Sequence, residues 1–237
     1  MQFYNNLAHN PVTLAISLFE RPNAPAAPGS REVVADSLNA LVEAVAARRR
    51  RDLVPEEENV RLAARDMLRH GQFKPTGRSK PASEYLLGLA QRGEPLPRVM
   101  PAVDVANCLS LTWLVPISIW DPRRVAGEMI VFRAGLPGES YVFNSAGHAI
   151  DVEDLVCGCA AADGLSSPIV NPVRDSMATK LTADSSEAAM AIYIPRSATS
   201  REYAGEALRE AEQLLPTCAG MVIRGTAVLD FGESAEF

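Results

Sequence analysis

Residues 101–121 read PAVDVANCLSLTWLVPISIWD, and the rest of the chain is best understood from what this stretch becomes. Val103, Val105, Leu109, Leu111 and Leu114 supply enough apolar surface to bury a helix on several faces. Asp104, Asn107 and Ser110 interrupt that pattern at intervals of three, which sets them along one face. A buried polar group without a partner costs about 1–3 kcal/mol, so three on one stripe need a reason. The spacing predicts a largely buried helix whose polar stripe floors a pocket. Plainer readings stand beside it: Asp104 as a cap of its own helix, and Asn107 as a structural hydrogen bond. Residues 116–121 follow as a Pro-bounded turn that carries Ser118 and Trp120.

Outward from this centre, turn signals divide the chain. Upstream lie a strand-like run at 12–19 and a Pro/Ala-rich break at 21–29. Ser30 then reads as the N-cap of a helix with Val33, Val34, Leu38, Leu41, Val42 and Val45 at helical period. That helix closes on four arginines at 48–51, where cations suit the negative end of the helix dipole. Pro55 and the three glutamates after it open a second helix that Gly71 ends, and 83–93 reads as a third. Downstream, Asp121-Pro122 opens a short helix stopped by Gly127, and strands are predicted at 129–134, 141–144, 152–160 and 188–194. A helix at 200–215 and a strand at 221–229 close the chain. Helices first and strands later argue an α+β fold, and no internal repeat is visible.

The 237 residues suit one large domain, with 47% hydrophobic and 22% charged residues as in ordinary globular proteins. No apolar run reaches the 18 residues of a membrane span, and MQFYNNLAHNP lacks the marks of a secretory signal, so a cytoplasmic location without membrane attachment is expected. Four cysteines make no disulfide framework at this length. Cys157-Gly158-Cys159 is a C-x-C rather than a zinc-binding C-x-x-C, and reads as a strand with two small buried thiols; no metal and no cofactor are expected.

Charge bears on partners. The net charge of −6 and a pI near 5.2 run against a dedicated nucleic-acid binder, whose affinity comes largely from neutralising phosphate. An RNA partner would need local patches, and the sequence offers residues 48–51 and the loop carrying Lys74, Arg78 and Lys80. His70 and His148 read as helix-end and turn histidines. No GxSxG, HExxH, P-loop or GxGxxG in context is present. Any hydrolysis would therefore rely on positioned water or on groups of the substrate.

The 101–121 stretch resembles the signature of the B3/B4 module, the tRNA-editing domain of the β subunit of bacterial phenylalanyl-tRNA synthetase. Where that module reads VDVTN, an apolar helix and then PLHAFD, this chain has Val103-Asp104-Val105-Ala106-Asn107 and later Pro116-Ile117-Ser118-Ile119-Trp120-Asp121. Gly127, Arg133, Gly138-Glu139, Asp175, Lys180 and Thr182 are similar to a spaced set in the freestanding proteins built from this module alone. The resemblance implies a single domain over 1–237 with a layered β/β/α sandwich, best matched at 61–195, with 1–60 as an N-terminal strand and helix extension.

It also implies a trans-editing hydrolase of mischarged aminoacyl-tRNA. Asn107 and Ser118 would be catalytic, orienting ester and water. Asp104, Ser110, Trp120, Arg133, Glu139, Asp175, Lys180 and Thr182 would bind substrate, with Lys180 or Arg133 facing negative charge. Ser118 stands where the synthetase has a histidine, and a serine cannot titrate near neutrality. Read from the residues alone, Asp175 and Lys180 are equally a surface ion pair, and Glu139 a solvated turn carboxylate. Two alternatives stay open: a noncatalytic tRNA- or RNA-binding module, and an enzyme acting on an amino-acid-like small molecule in the same pocket.

Overall fold

The computed structural model describes residues 1–8, 11–22 and 29–237. The predicted break at 21–29 falls for the most part outside them. Nine consecutive residues form β2 (Val12–Glu20), and all but the last are buried. A strand buried on both faces belongs at the centre of a layered structure. β2 pairs with β9 (Glu187–Pro195) on one side and β10 (Val222–Leu229) on the other, and β3 (Ile117–Trp120) closes this sheet beyond β9. Residues 12–20 are thus the middle of the fold and not an extension to it.

A second sheet runs β11-β1-β4-β7-β8, from β1 (Gln2–Asn5), β4 (Met129–Ala134), β7 (Val156–Ala162), β8 (Leu165–Val170) and β11 (Ser234–Glu236). The two sheets meet through aromatic pairs. Phe3 on β1 packs edge to face on Trp120 of β3, ring centroids 6.4 Å apart, and Phe132 on β4 packs on Tyr193 of β9 at 6.1 Å. Register puts Ser118 opposite Ala191 and Trp120 opposite Ala189, so Ser118, Trp120 and Tyr193 share the face toward the second sheet. A small hairpin of β5 (Ser140–Val142) and β6 (Ala149–Asp151) stands apart from both.

Helices form the third layer. These are α1 (Ser30–Arg48), α2 (Pro55–Asp66), α3 (Ala82–Gln91), α4 (Pro101–Trp113) and α5 (Arg201–Ala219). α5 lies against β2, β9 and β10, and α4 packs on α5, α1 and α3. The predicted α+β class holds, with the layers arranged β/β/α. Several ends differ from expectation. Ser30 is the first helical residue and Gly29, at φ 80°, precedes it. The helix begun at Pro55 stops at Asp66, five residues before Gly71.

The arginines at 48–51 do more than complement a dipole. Arg49 is buried and donates through Nε to the Leu111 carbonyl at 3.0 Å and through Nη2 to the Thr112 carbonyl at 2.5 Å. It satisfies the last carbonyls of α4, which no backbone amide reaches. The α4–β3 turn that follows is tightly held. Leu114 closes the helix at φ 56°, a conformation that costs a non-glycine residue about 1–2 kcal/mol, and Ser110 Oγ braces the turn by donating to the Val115 carbonyl at 2.7 Å.

Candidate functional site

β3 is the last strand of its sheet, so one edge has no strand partner. Residues 171–180 cover that edge with one side-chain and one backbone hydrogen bond in place of a ladder. The Ile119 N–H donates to Asp175 Oδ2 at 3.3 Å, and the Asp121 N–H donates to the Thr179 carbonyl at 2.8 Å. Asn171 anchors the start of the segment as an Asx turn, its Oδ1 accepting from the backbone N–H groups of Val173 and Arg174, both at 2.8 Å.

A chain of polar groups runs from the sandwich interior to this edge. Tyr193 donates its hydroxyl to Ser118 Oγ at 3.1 Å, and Ser118 donates to the Asn171 carbonyl at 3.2 Å. The Asn171 amide donates to the Tyr141 hydroxyl, which donates to the Arg174 carbonyl at 2.6 Å. Burial pushes both tyrosines well above the usual phenol range, so they stay protonated donors. Asp175 sits among these groups with Oδ1 buried and without a hydrogen-bond partner. Desolvation drives its carboxyl up to about 7, against the lowering effect of Ser118, the Ile119 and Asn171 amides and the Lys180 charge. Ser118 has one proton, and the geometry gives it to Asn171; turned to Asp175 it would favour the carboxylate.

The rim is cationic and aromatic. Lys180 Nζ donates to the Phe143 carbonyl at 3.0 Å, and the Arg174 guanidinium lies 4.4 Å from the Phe143 ring centroid. The His148 ring stacks near the same phenyl at 6.3 Å. A buried titratable group shifted to neutrality beside hydroxyls and a lysine is how a general acid or base is prepared. Ser118, Asp175 and Lys180, all expected from the sequence as site residues, thus come together. Tyr141, Asn171 and Tyr193 join them without having been singled out.

The other expected residues lie elsewhere. Asp104 is buried and brackets the start of α4, accepting from Arg98 Nε and the Val99 N–H at 2.8 Å each. With Ser110 spent on the α4–β3 turn, Asp104 and Ser110 brace the two ends of α4, and neither bonds to the Asp175 cluster. Asn107, between them, is half-buried, its side chain makes no hydrogen bond with Ser118 or any other described residue, and it lies outside the Asp175 cluster. Trp120 is a core side chain at 0% exposure. Thr182 is tied to Ser185, whose hydroxyl donates to Asp121 Oδ2 at 2.6 Å.

Arg133 and Glu139 pair with each other. The two guanidinium nitrogens reach the carboxylate at 2.7 and 2.8 Å, and the remaining donors go to Ser166 and the Ala134 carbonyl. All five arginine hydrogens are used. Burial opposes ionisation of Glu139, but the Arg133 fork and the Leu136 N–H outweigh it and hold the carboxyl below its usual range. Arg133→Ala is expected to lower the unfolding free energy by about 2–3 kcal/mol, because it orphans a largely buried carboxylate. Urea denaturation checks this, and a loss under 0.5 kcal/mol would show the pair to be ornamental.

The four cysteines are free, buried thiols. Burial pushes Cys159 and Cys108 up to about 12 and Cys157 well above the usual thiol range. Among the described residues, no group of three or more His, Cys, Asp or Glu side chains is placed to hold a metal ion. No helix among the described residues is long and apolar enough to cross a membrane. Comparison with models of known families and with curated proteins finds no match to this chain. The B3/B4 resemblance is therefore carried by the quoted motif residues.

Proposed function

We propose that this protein hydrolyses an aminoacyl ester, as a freestanding B3/B4-like editing enzyme for mischarged aminoacyl-tRNA, with Asp175 as the general base. The observation that supports it is the Asp175 carboxyl, titrating near 7 with one buried oxygen open to a proton. Ionised Asp175 takes a proton from water as the water oxygen bonds to the ester carbonyl carbon. The same proton then goes to the departing ribose oxygen as the carbon–oxygen bond breaks. Lys180 stands close enough to bias the site toward anionic charge on the tetrahedral intermediate. Because the ester is already activated, positioning supplies much of the required acceleration. Asp175, expected from the sequence to bind substrate, is here the base, a role the sequence reading gave to no residue.

An RNA partner is supported by the placement of the basic loop. The Ala82 N–H donates to the Pro172 carbonyl at 2.9 Å, so the loop carrying exposed Lys74, Arg78 and Lys80 ends on a contact with the segment that precedes Asp175. The net charge of −6 favours a second reading, in which the same cluster hydrolyses a small amino-acid ester without RNA. A panel of mischarged tRNAs and the matching aminoacyl methyl esters separates the two. Release of amino acid from tRNA at least about tenfold faster than from the methyl ester supports the editing reading. Equal rates assign the site to small esters. No acceleration over buffer for either, or tRNA binding without turnover, defeats the hydrolase.

A further inference from the structure

A cleft of about 1080 Å³ lies on the helical layer, between the start of α1, residues 98–101 ahead of α4, and Ala219-Gly220 at the end of α5. None of the Asp175 cluster lines it. The lining combines apolar Val34, Leu38, Val99, Met100 and Pro101 with three cations, Arg21, Arg31 and Arg98, and a single carboxylate, Asp104. That carboxylate is buried and paired with Arg98 and the Val99 N–H, so its charge and that of Arg98 offset each other and leave those of Arg21 and Arg31. Arg31 makes no ion pair or hydrogen bond among the described residues, and the recorded bond of Arg21 is to a neutral carbonyl, Ala183. The first turn of α1 also carries exposed Glu32, which offsets part of this charge from outside the lining.

In a chain of net charge −6, a cleft whose free charges are all positive is selective for an anion. The apolar lining adds a second demand, since about 25 cal/mol is gained for each Å² of apolar surface removed from water. The volume is at the upper end of small-molecule sites, which run to about 1,000 Å³. Two long helices, α1 and α4, present their N-termini at the lining through Ser30 and Pro101, and this reinforces the field set by the arginines. We infer that this cleft is a binding site for an amphipathic organic anion, an apolar body of one or two rings or a short acyl chain bearing a carboxylate, sulfonate or phosphate. It is separate from the Asp175 site, and its occupancy does not depend on the hydrolase reading.

The probe is 1-anilinonaphthalene-8-sulfonate, which brightens in an apolar site and carries one anionic group, set against its uncharged relative N-phenyl-1-naphthylamine. The native protein is expected to bind the sulfonate at one site per chain and more tightly than the neutral dye. The Arg21→Glu/Arg31→Glu double variant, altering two exposed side chains, should weaken the sulfonate about tenfold or more and the neutral dye less than about twofold. Val34→Trp should block both dyes by filling the cleft, with a circular-dichroism melt matching the native protein for each variant. Equal sulfonate affinity in the native and double-variant proteins overturns the assignment, as does multiple-site binding that Val34→Trp leaves intact. Displacement of the dye by a short oligoribonucleotide at low salt, lost in the double variant, also overturns it, because the surface would then be a phosphate-backbone contact.

Discussion

Asp175→Asn is expected to lower kcat for ester hydrolysis by about 10²–10⁴-fold and, at the same time, to make the protein more stable above pH 7. The two effects share one cause. The Asp175 carboxyl is shifted from an ordinary value of 3.8 to about 7 by burial, so between those values the folded protein holds a proton that the unfolded chain has released. Native stability therefore falls as pH rises through this window, and the whole cost is present above pH 7. A shift of this size corresponds to a few kcal/mol. Asn mimics the protonated carboxyl in shape but carries no charge to desolvate. The variant and native proteins should unfold alike near pH 4 and separate progressively toward pH 8, the variant being the more stable. Denaturant titration at both pH values isolates Asp175, because the depressed carboxyls of Glu57 and Glu139 are common to both proteins and cancel in the difference. Full activity in Asp175→Asn would remove it as the base. A constant stability difference from pH 4 to 8 would remove the buried-charge account.

This opposition of activity and stability is what a prepared acid or base produces, and it also explains where the sequence was readable. Strands and helices were legible because their patterns are local. The apolar run at 12–19 and the periodic apolar positions between 30 and 48 became β2 and α1 with nearly the expected bounds. Short strands such as β1, β6 and β11 were not, since three or four residues hold too little pattern and take their form from neighbours. That β2 is central depends on pairing with β9, some 175 residues away, which no local rule reports.

The site divides the same way. Ser118, Asp175 and Lys180 were reached through resemblance, whereas spacing alone left Asp175 and Lys180 as a surface pair. Tyr193 carried a physical signal that could have been used. It is the one polar-tipped side chain among the central residues of the apolar strand EAAMAIYIP, and a buried tyrosine hydroxyl ordinarily finds a partner. Asn171-Pro172 is likewise a turn signal at the end of a strand. The error on α4 has a clear origin. A polar stripe at helical spacing fits a pocket floor and a set of braces equally well, and Asp104 and Ser110 proved to hold the two ends of the helix.

Trp120 provides the sharpest separation of core from site, and its replacement is the other large effect expected. Its ring is fully buried between the sheets against Phe3, and its indole N–H has no partner. Trp120→Ala should cost about 3–5 kcal/mol, through the lost apolar burial and the cavity left behind. Packing is close throughout this layer, so collapse around the gap is limited. Trp120→Phe keeps an aromatic surface for Phe3 and removes an unsatisfied donor, and a loss of less than about 2 kcal/mol is expected. The kinetic readout distinguishes the two roles. If Trp120 touched substrate, the Phe variant would raise KM at temperatures where the protein is fully folded. As a core residue it should leave KM and kcat within about twofold at 25 °C and shift only the midpoint of thermal unfolding. A severalfold rise in KM for Trp120→Phe, with an unchanged melt, would move Trp120 out of the core and into the site, and the face assigned to β3 would have to be reversed.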